Sequence, residues 1–294
     1  MFVEAIDKVA NFTRPVHTLV RTYTGKKIIP GAATLFFVNE LGYAVTCKHV
    51  VDLIIASEEM KKTYGDFRTE RSKLAADNQL RNHLKGLELK YKINADTNIQ
   101  MQIRFLECVD SFSGITFQTH PKYDLAIVKF NDFKSLRYAK YAVFKKNTEE
   151  IRQGEYLCRL GFPFPEFTNF TFNERTDEIE WTNTGVVYSP RFPFEGMITR
   201  FLADEQNIHG IEMSTPGLRG QSGGPLFNKD GIVYGMQSST KHLHLGFDIV
   251  DLEMVINNKI KTISDHPFIH LGQCIHANVI KAFLREQKVP FYEE

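Results

Sequence analysis

The sequence predicts an all-β protein of two small antiparallel barrels. Many short apolar runs are separated by turns rich in Gly, Pro and Asn, the pattern of barrels and sandwiches built from hairpins. The chain has 294 residues, of which 43% are hydrophobic, enough for a sizeable core. No linker or repeat divides it. The expectation is therefore one domain over 1–294: a first barrel about 14–145 with an insertion at 57–96, a second barrel about 150–250, and a helical C-terminal extension over 251–294.

Taken in order, residues 1–12 place Phe2, Ile6 and Val9 on one helical stripe. That reads as an arm packed on the body in preference to a helix that receives a partner. Residues 16–23 alternate as a strand. A hairpin joins 35–38 to 43–46 around a turn at 39–42. Residues 57–96 are polar, with Leu74, Leu80, Leu84 and Leu87 spaced for one helical face. The modest basic surplus there is the mark of a solvated helix. A sharper reading makes the insertion a lid or a docking element for a regulatory protein, since long inserts on rigid scaffolds tend to carry function.

Strands are expected at 99–106, 115–119, 125–130, 156–160, 184–188 and 208–214, with a loop of hairpin character over 164–181. Residues 232–238 and 245–250 would form the last hairpin. Leu252, Val255, Ile256, Ile260 and Ile263 then repeat at helical spacing, and 278–285 is a further helix with Val279, Ile280 and Phe283 on one side.

The segment Pro216-Gly217-Leu218-Arg219-Gly220-Gln221-Ser222-Gly223-Gly224-Pro225 crowds small residues around one hydroxyl. Glycine lets a backbone turn its N–H groups inward, and successive inward N–H groups hold an anion. Such a cradle suits a serine that attacks a carbonyl. A base and an orienting acid stand elsewhere: His49 in Val45-Thr46-Cys47-Lys48-His49-Val50, and Asp124 in Tyr123-Asp124-Leu125-Ala126-Ile127. The order His, Asp, Ser distinguishes this arrangement from other hydrolase orders.

On these three blocks, and on 31–46 leading to His49, the chain resembles the trypsin/chymotrypsin-like serine peptidases, and among them the HtrA-type peptidase domain without its PDZ module. The resemblance implies two six-stranded, chymotrypsin-like barrels and a serine endopeptidase acting on protein or peptide substrates. It implies His49, Asp124 and Ser222 as catalytic residues and the Gly220 and Ser222 amides as the oxyanion hole. Pro216, Gln237, Ser238, Ser239, Thr240, Gly246 and Asp248 fall at substrate-binding positions, Ser238 also helping to hold the acid. Pro216 replaces the acid of Arg/Lys-directed relatives. Asp248, turned the same way as Gly246 by strand alternation, would restore a preference for basic residues; the alternative is that it caps a helix or pairs elsewhere. The runner-up function is a silent or latent peptidase fold that binds peptides or proteins; an esterase-like hydrolase is a third reading.

No cofactor or metal is expected. His242, His244, His266, His270, Cys274 and His276 match no usual zinc spacing. A net charge of +1 argues against nucleic acid and membrane surfaces as partners. Cys47, Cys108, Cys158 and Cys274 cannot form the disulfides of the secreted relatives, and no apolar leader opens the chain, so a reducing, cytoplasmic setting is expected. No start like that of the family's zymogens precedes Val16, which implies that loops, and not chain cleavage, order the site.

Overall fold

The computed structural model describes residues 2–294 apart from Lys26, Asp77 and Gln206. Met1 of the expected first helix and Asp77 of the insertion thus lie outside the described residues. Helix α1 (Val3–Ala10) buries Ala5 and Val9 against the body, and the Phe2 ring meets Phe227 edge-on at 6.4 Å. It is a packing arm.

The first half is a six-stranded antiparallel sheet. Its strands are β1 (Thr13–Thr22), β2 (Ile29–Phe37), β3 (Tyr43–Thr46), β4 (Asn98–Phe105), β6 (Gly114–Thr119) and β7 (Ala126–Asn131), in the order β4-β1-β2-β3-β7-β6. A short ribbon of β5 (Val109–Asp110) and β8 (Ser135–Leu136) lies beside it. In β2 the run Leu35, Phe36, Phe37 is buried on both faces, because it is covered by the core on one side and by the second half on the other. The turn to β3 is held by Asn39, whose side-chain oxygen accepts from the Leu41 amide at 2.9 Å, and by Gly42 at φ +80°. Among the described residues β4 and β6 do not pair, so the curl stays open. The insertion spans that side: α2 (Lys48–Arg71) packs along β4 and reaches β6, with α3 (Leu80–Lys90) against α2.

The second half closes completely. The strands β10 (Tyr156–Gly161), β13 (Phe192–Ala203), β14 (Ile208–Met213), β15 (Pro225–Phe227), β16 (Val233–His244) and β19 (Phe268–His276) run β15-β10-β13-β14-β19-β16, and β16 pairs back onto β15. This six-stranded ring leaves no edge. Leu157, Ile198, Ile211, Met213, Leu226 and Cys274 fill it. Two short strands extend the sheet in parallel, β9 (Val143–Phe144) on β16 and β20 (Tyr292–Glu293) on β9. The hairpin of β11 (Phe170–Asn173) and β12 (Glu178–Trp181) lies outside the ring and reaches back to α2. Helix α4 (Ala277–Glu286) buries Val279, Ile280, Phe283 and Leu284 on the body. Among the described residues no helix is long and apolar enough to cross a membrane.

Four expectations are corrected. The helical stripe from Leu252 to Ile263 is a hairpin of β17 (Ile249–Ile256) and β18 (Lys259–Asp265). Asn257 and Asn258 make its turn at φ +52° and +58°, the left-handed geometry that a two-residue hairpin loop requires and Asn tolerates. The partner of β16 is consequently β19, not 245–250, and the second barrel extends to 276. Only α4 of the expected C-terminal extension is helical. Residues 184–188 form no strand, since Val186 and Tyr188 are exposed. The strand is β13, which Pro193 and Gly196 had disguised.

Candidate active site

The loop between β14 and β15 is folded by its own backbone. The Gln221 amide donates to Leu218 O at 3.0 Å, and Gly224 to Gln221 O at 2.8 Å. Thr34 of β2 fixes it to the first half: its Oγ1 donates to Gly220 O at 2.7 Å, and its amide to Ser222 O at 3.0 Å. Two glycines make this approach possible. Gly220 has φ +92°, and a Cβ there would sit 2.5 Å from Phe162 O. Gly223 has φ +86°, and a Cβ there would run into the Thr34 carbonyl and Thr46 Oγ1. Among the described residues the Gly220 and Ser222 amides meet no backbone acceptor, which leaves two N–H donors beside the Ser222 hydroxyl.

His49 comes from the first turn of α2, directly after β3. Asp124 comes from the turn that enters β7, where His120 Nδ1 accepts from the Lys122 and Tyr123 amides. The two meet twice: His49 Nδ1 lies 2.8 Å from Asp124 Oδ2, and the His49 amide donates to Oδ1 at 2.9 Å. Ser238 Oγ also donates to Asp124 Oδ2, at 2.8 Å. Burial works to raise the Asp124 pKa, but the bonds from His49 and Ser238 outweigh it, and the carboxyl titrates below its ordinary value. The structure thus brings His49, Asp124, Ser222 and Ser238 together at the junction of the two halves. Ser222 Oγ faces Ser238 O at 3.4 Å and makes no hydrogen bond to His49.

A trypsin-like peptidase domain model matches residues 33–236. The chain belongs to the trypsin-like peptidase family. That span covers the hairpin before His49, Asp124 and the whole serine loop. No curated protein matches the sequence.

The remaining positions divide. Gln237, Ser238, Ser239 and Thr240 do lie on β16 beside the loop: the Gly223 amide donates to Gln237 O at 2.9 Å, and Thr240 Oγ1 to Gly217 O at 2.8 Å. Pro216 is half-buried on the same loop. Gly246 and Asp248 do not join them. Six residues separate Ser238 from His244, about 20 Å of strand, and Asp248 binds that distal His244. Asp248 Oδ1 is 2.7 Å from His244 Nε2 and from His266 Nδ1, and these bonds, His266 first, hold its pKa below the usual value. Gly272 of β19, and not Gly246, stands opposite Thr240. The misplacement follows from the β17–β18 hairpin, which inserts 21 residues between Gly246 and Phe268.

Among the described residues two groups bring possible metal ligands within 4.8 Å of one another: Cys47 with His49 and Asp124, and His244 with Asp248 and His266. In the first the Cys47 thiol is fully buried and donates to Gln237 O at 3.3 Å. Burial pushes its pKa well up. Two structural features of this region escaped the sequence reading. Thr34 carried no signal, being an ordinary strand residue. Arg159 did carry one: it is a lone charge inside the apolar run Leu157-Cys158-Arg159-Leu160.

Proposed function

We propose that the protein is a serine endopeptidase that hydrolyses peptide bonds in protein substrates through an acyl-enzyme on Ser222. One observation carries the reading: Ser238 joins an imidazole–carboxylate pair to a hydroxyl whose loop holds two amides without a backbone acceptor among the described residues. A turn of the Ser222 side chain from Ser238 O toward His49 starts the reaction. His49 Nε2 takes the hydroxyl proton as Oγ attacks the carbonyl carbon. Asp124 orients the ring and stabilises the imidazolium. The Gly220 and Ser222 amides receive the oxyanion, each such donor being worth a few kcal/mol of barrier (about 3–4). The tetrahedral intermediate collapses, and His49 returns the proton to the leaving amine. Water, activated by the same base, then releases the acid product.

The Ser222–Ser238 contact supports a second reading, a latent or silent peptidase fold that binds peptides. Regulation through the insertion fits the first reading, because His49 lies in the first turn of α2 and any partner that shifts the helix shifts the base. Four buried, unpaired thiols fit a cytoplasmic setting.

Labelling with a fluorescent fluorophosphonate, beside Ser222→Ala, tests the proposal. Labelling of the wild type that the variant loses is the expected result. An unlabelled wild type in both buffer and cell lysate overturns the catalytic reading in favour of the silent fold. Labelling only in lysate identifies a latent enzyme with an activator.

A further inference from the structure

Strand β10 sends one charged side chain into the interior. Arg159 is 0% exposed. Its Nη1 donates to Gln237 Oε1 at 2.7 Å, and its Nη2 to Thr215 O at 3.1 Å and Thr215 Oγ1 at 2.5 Å. The guanidinium lies 5.3 Å from the Phe194 ring centroid, and Nε has no partner. Among the described residues no carboxylate forms an ion pair with it. Arginine cannot shed its proton in a protein, so the fold holds a buried positive charge with neutral partners alone, an expensive arrangement.

Its location gives the expense a purpose. A Cβ on Gly272 would run into Arg159 Nη1, and a Cβ on Gly217 into Gln237 Nε2. Gly272 donates its amide to Thr215 O at 2.9 Å. Gln237, which stands between the guanidinium and Gly217, is the residue whose backbone braces the serine loop on both sides: Gly223 N–H donates to its carbonyl at 2.9 Å, and its own N–H to Gly224 O at 2.8 Å. The cation therefore lies directly behind three segments that flank Ser222: 215–217, 237–240 and the β19 glycine.

We propose that Arg159 sets specificity, so that the pocket beside Ser222 takes an aspartate or glutamate side chain on the acyl side of the cleaved bond. The proposal rests on the reading of Ser222 as the nucleophile. The substrate carboxylate takes the place of Gln237 Oε1 and supplies the missing counter-charge by paired charge-assisted hydrogen bonds. The slot is shut without it. Gln237 Nε2 donates to Ser239 O at 2.8 Å and to Gln273 O at 3.3 Å, and Thr240 Oγ1 ties the facing walls at Gly217 O. An acidic side chain gains an ion pair by displacing the carboxamide. A neutral one gains no charge pairing, and a lysine or arginine is repelled. This is the opposite sign to the preference expected from Asp248.

A peptide series differing only in the residue before the cleaved bond gives the kinetic test. Glutamate or aspartate should exceed glutamine, leucine and lysine by at least 100-fold in kcat/KM; equal rates, or a lysine preference, overturn the proposal. Arg159→Met risks misfolding, so the decisive variant is Gln237→Glu, which keeps the shape and gives Arg159 an internal counter-ion. It should keep a cooperative thermal transition and lose at least tenfold of the discrimination between glutamate and glutamine; retained discrimination overturns the proposal. Binding separates this inference from the peptidase reading. By calorimetry, Ser222→Ala should bind an acetylated tetrapeptide ending in glutamate at least tenfold tighter than one ending in glutamine. Equal binding, or none, sinks the specificity proposal whether or not the protein cleaves. Selective binding without cleavage sinks the peptidase reading alone.

Discussion

At the scale of single residues, the site depends on absent side chains as much as on present ones. Gly223 lies where the β2 backbone touches the serine loop, with Thr34 O and Thr46 Oγ1 filling the space of a side chain. Gly223→Ala combines a left-handed φ with a clash against backbone. We expect it to cost about 1–3 kcal/mol and to lower fluorophosphonate labelling by pulling Ser222 off Thr34. Urea denaturation beside the labelling rate checks both, and an alanine variant with native stability and full labelling would refute the account. His49, Asp124 and Ser222 could be picked out because each stands in a distinctive block of neighbours. Arg159 was legible only as an anomaly, a charge in an apolar strand, because its contact with Gly272 is made by the fold and not by neighbours in the chain.

At the scale of elements, the insertion is also a brace. Tyr64 and Arg21 both reach Asp177 on the β11–β12 hairpin, at 2.5 Å and 2.8 Å, and Arg68 Nη2 donates to Thr176 O at 2.8 Å. Arg21 is buried, while Asp177 is about one-third exposed (34% of its side chain), so the pair is worth less than a buried one. Asp177→Ala should destabilise by about 1–3 kcal/mol through the lost bonds to charge, read by the shift in urea midpoint; no shift would show that α2 is held by its apolar contacts alone. The hairpins of the first sheet could be read from alternation and turn residues. The β17–β18 hairpin could not be read from periodicity, because its apolar residues are largely solvent-exposed and obey no core-facing rule. Asn257-Asn258 was the overlooked signal, a turn pair in the middle of an assumed helix.

At the scale of the whole molecule, two buried histidines link the fold to pH. His17 stacks on Phe167 at 4.0 Å and lies 3.0 Å from Ser189 Oγ. His276 caps α4, its ring accepting from the Asn278 amide. Desolvation lowers both to about 4 from an ordinary 6.5. The unfolded chain takes up these protons first as pH falls. Their contribution to stability is therefore complete above pH 6.5 and is lost as pH drops to about 4, roughly 3 kcal/mol apiece at most. Unfolding free energies at pH 7, 5.5 and 4.5 should fall accordingly, and His17→Gln should flatten the decline; an unchanged slope in that variant would assign it to other groups. The four cysteines add something of practical use. Cys47, Cys108, Cys158 and Cys274 are all buried, and desolvation raises each pKa, to about 12 for Cys158 and Cys274. Native thiols so placed do not meet an alkylating reagent as thiolates. Each becomes a clock for the opening of its own region: Cys47 beside His49 and Asp124, Cys108 in the first core, Cys158 and Cys274 in the closed ring. The order in which they are alkylated in mild denaturant would read out which half of the molecule lets go first.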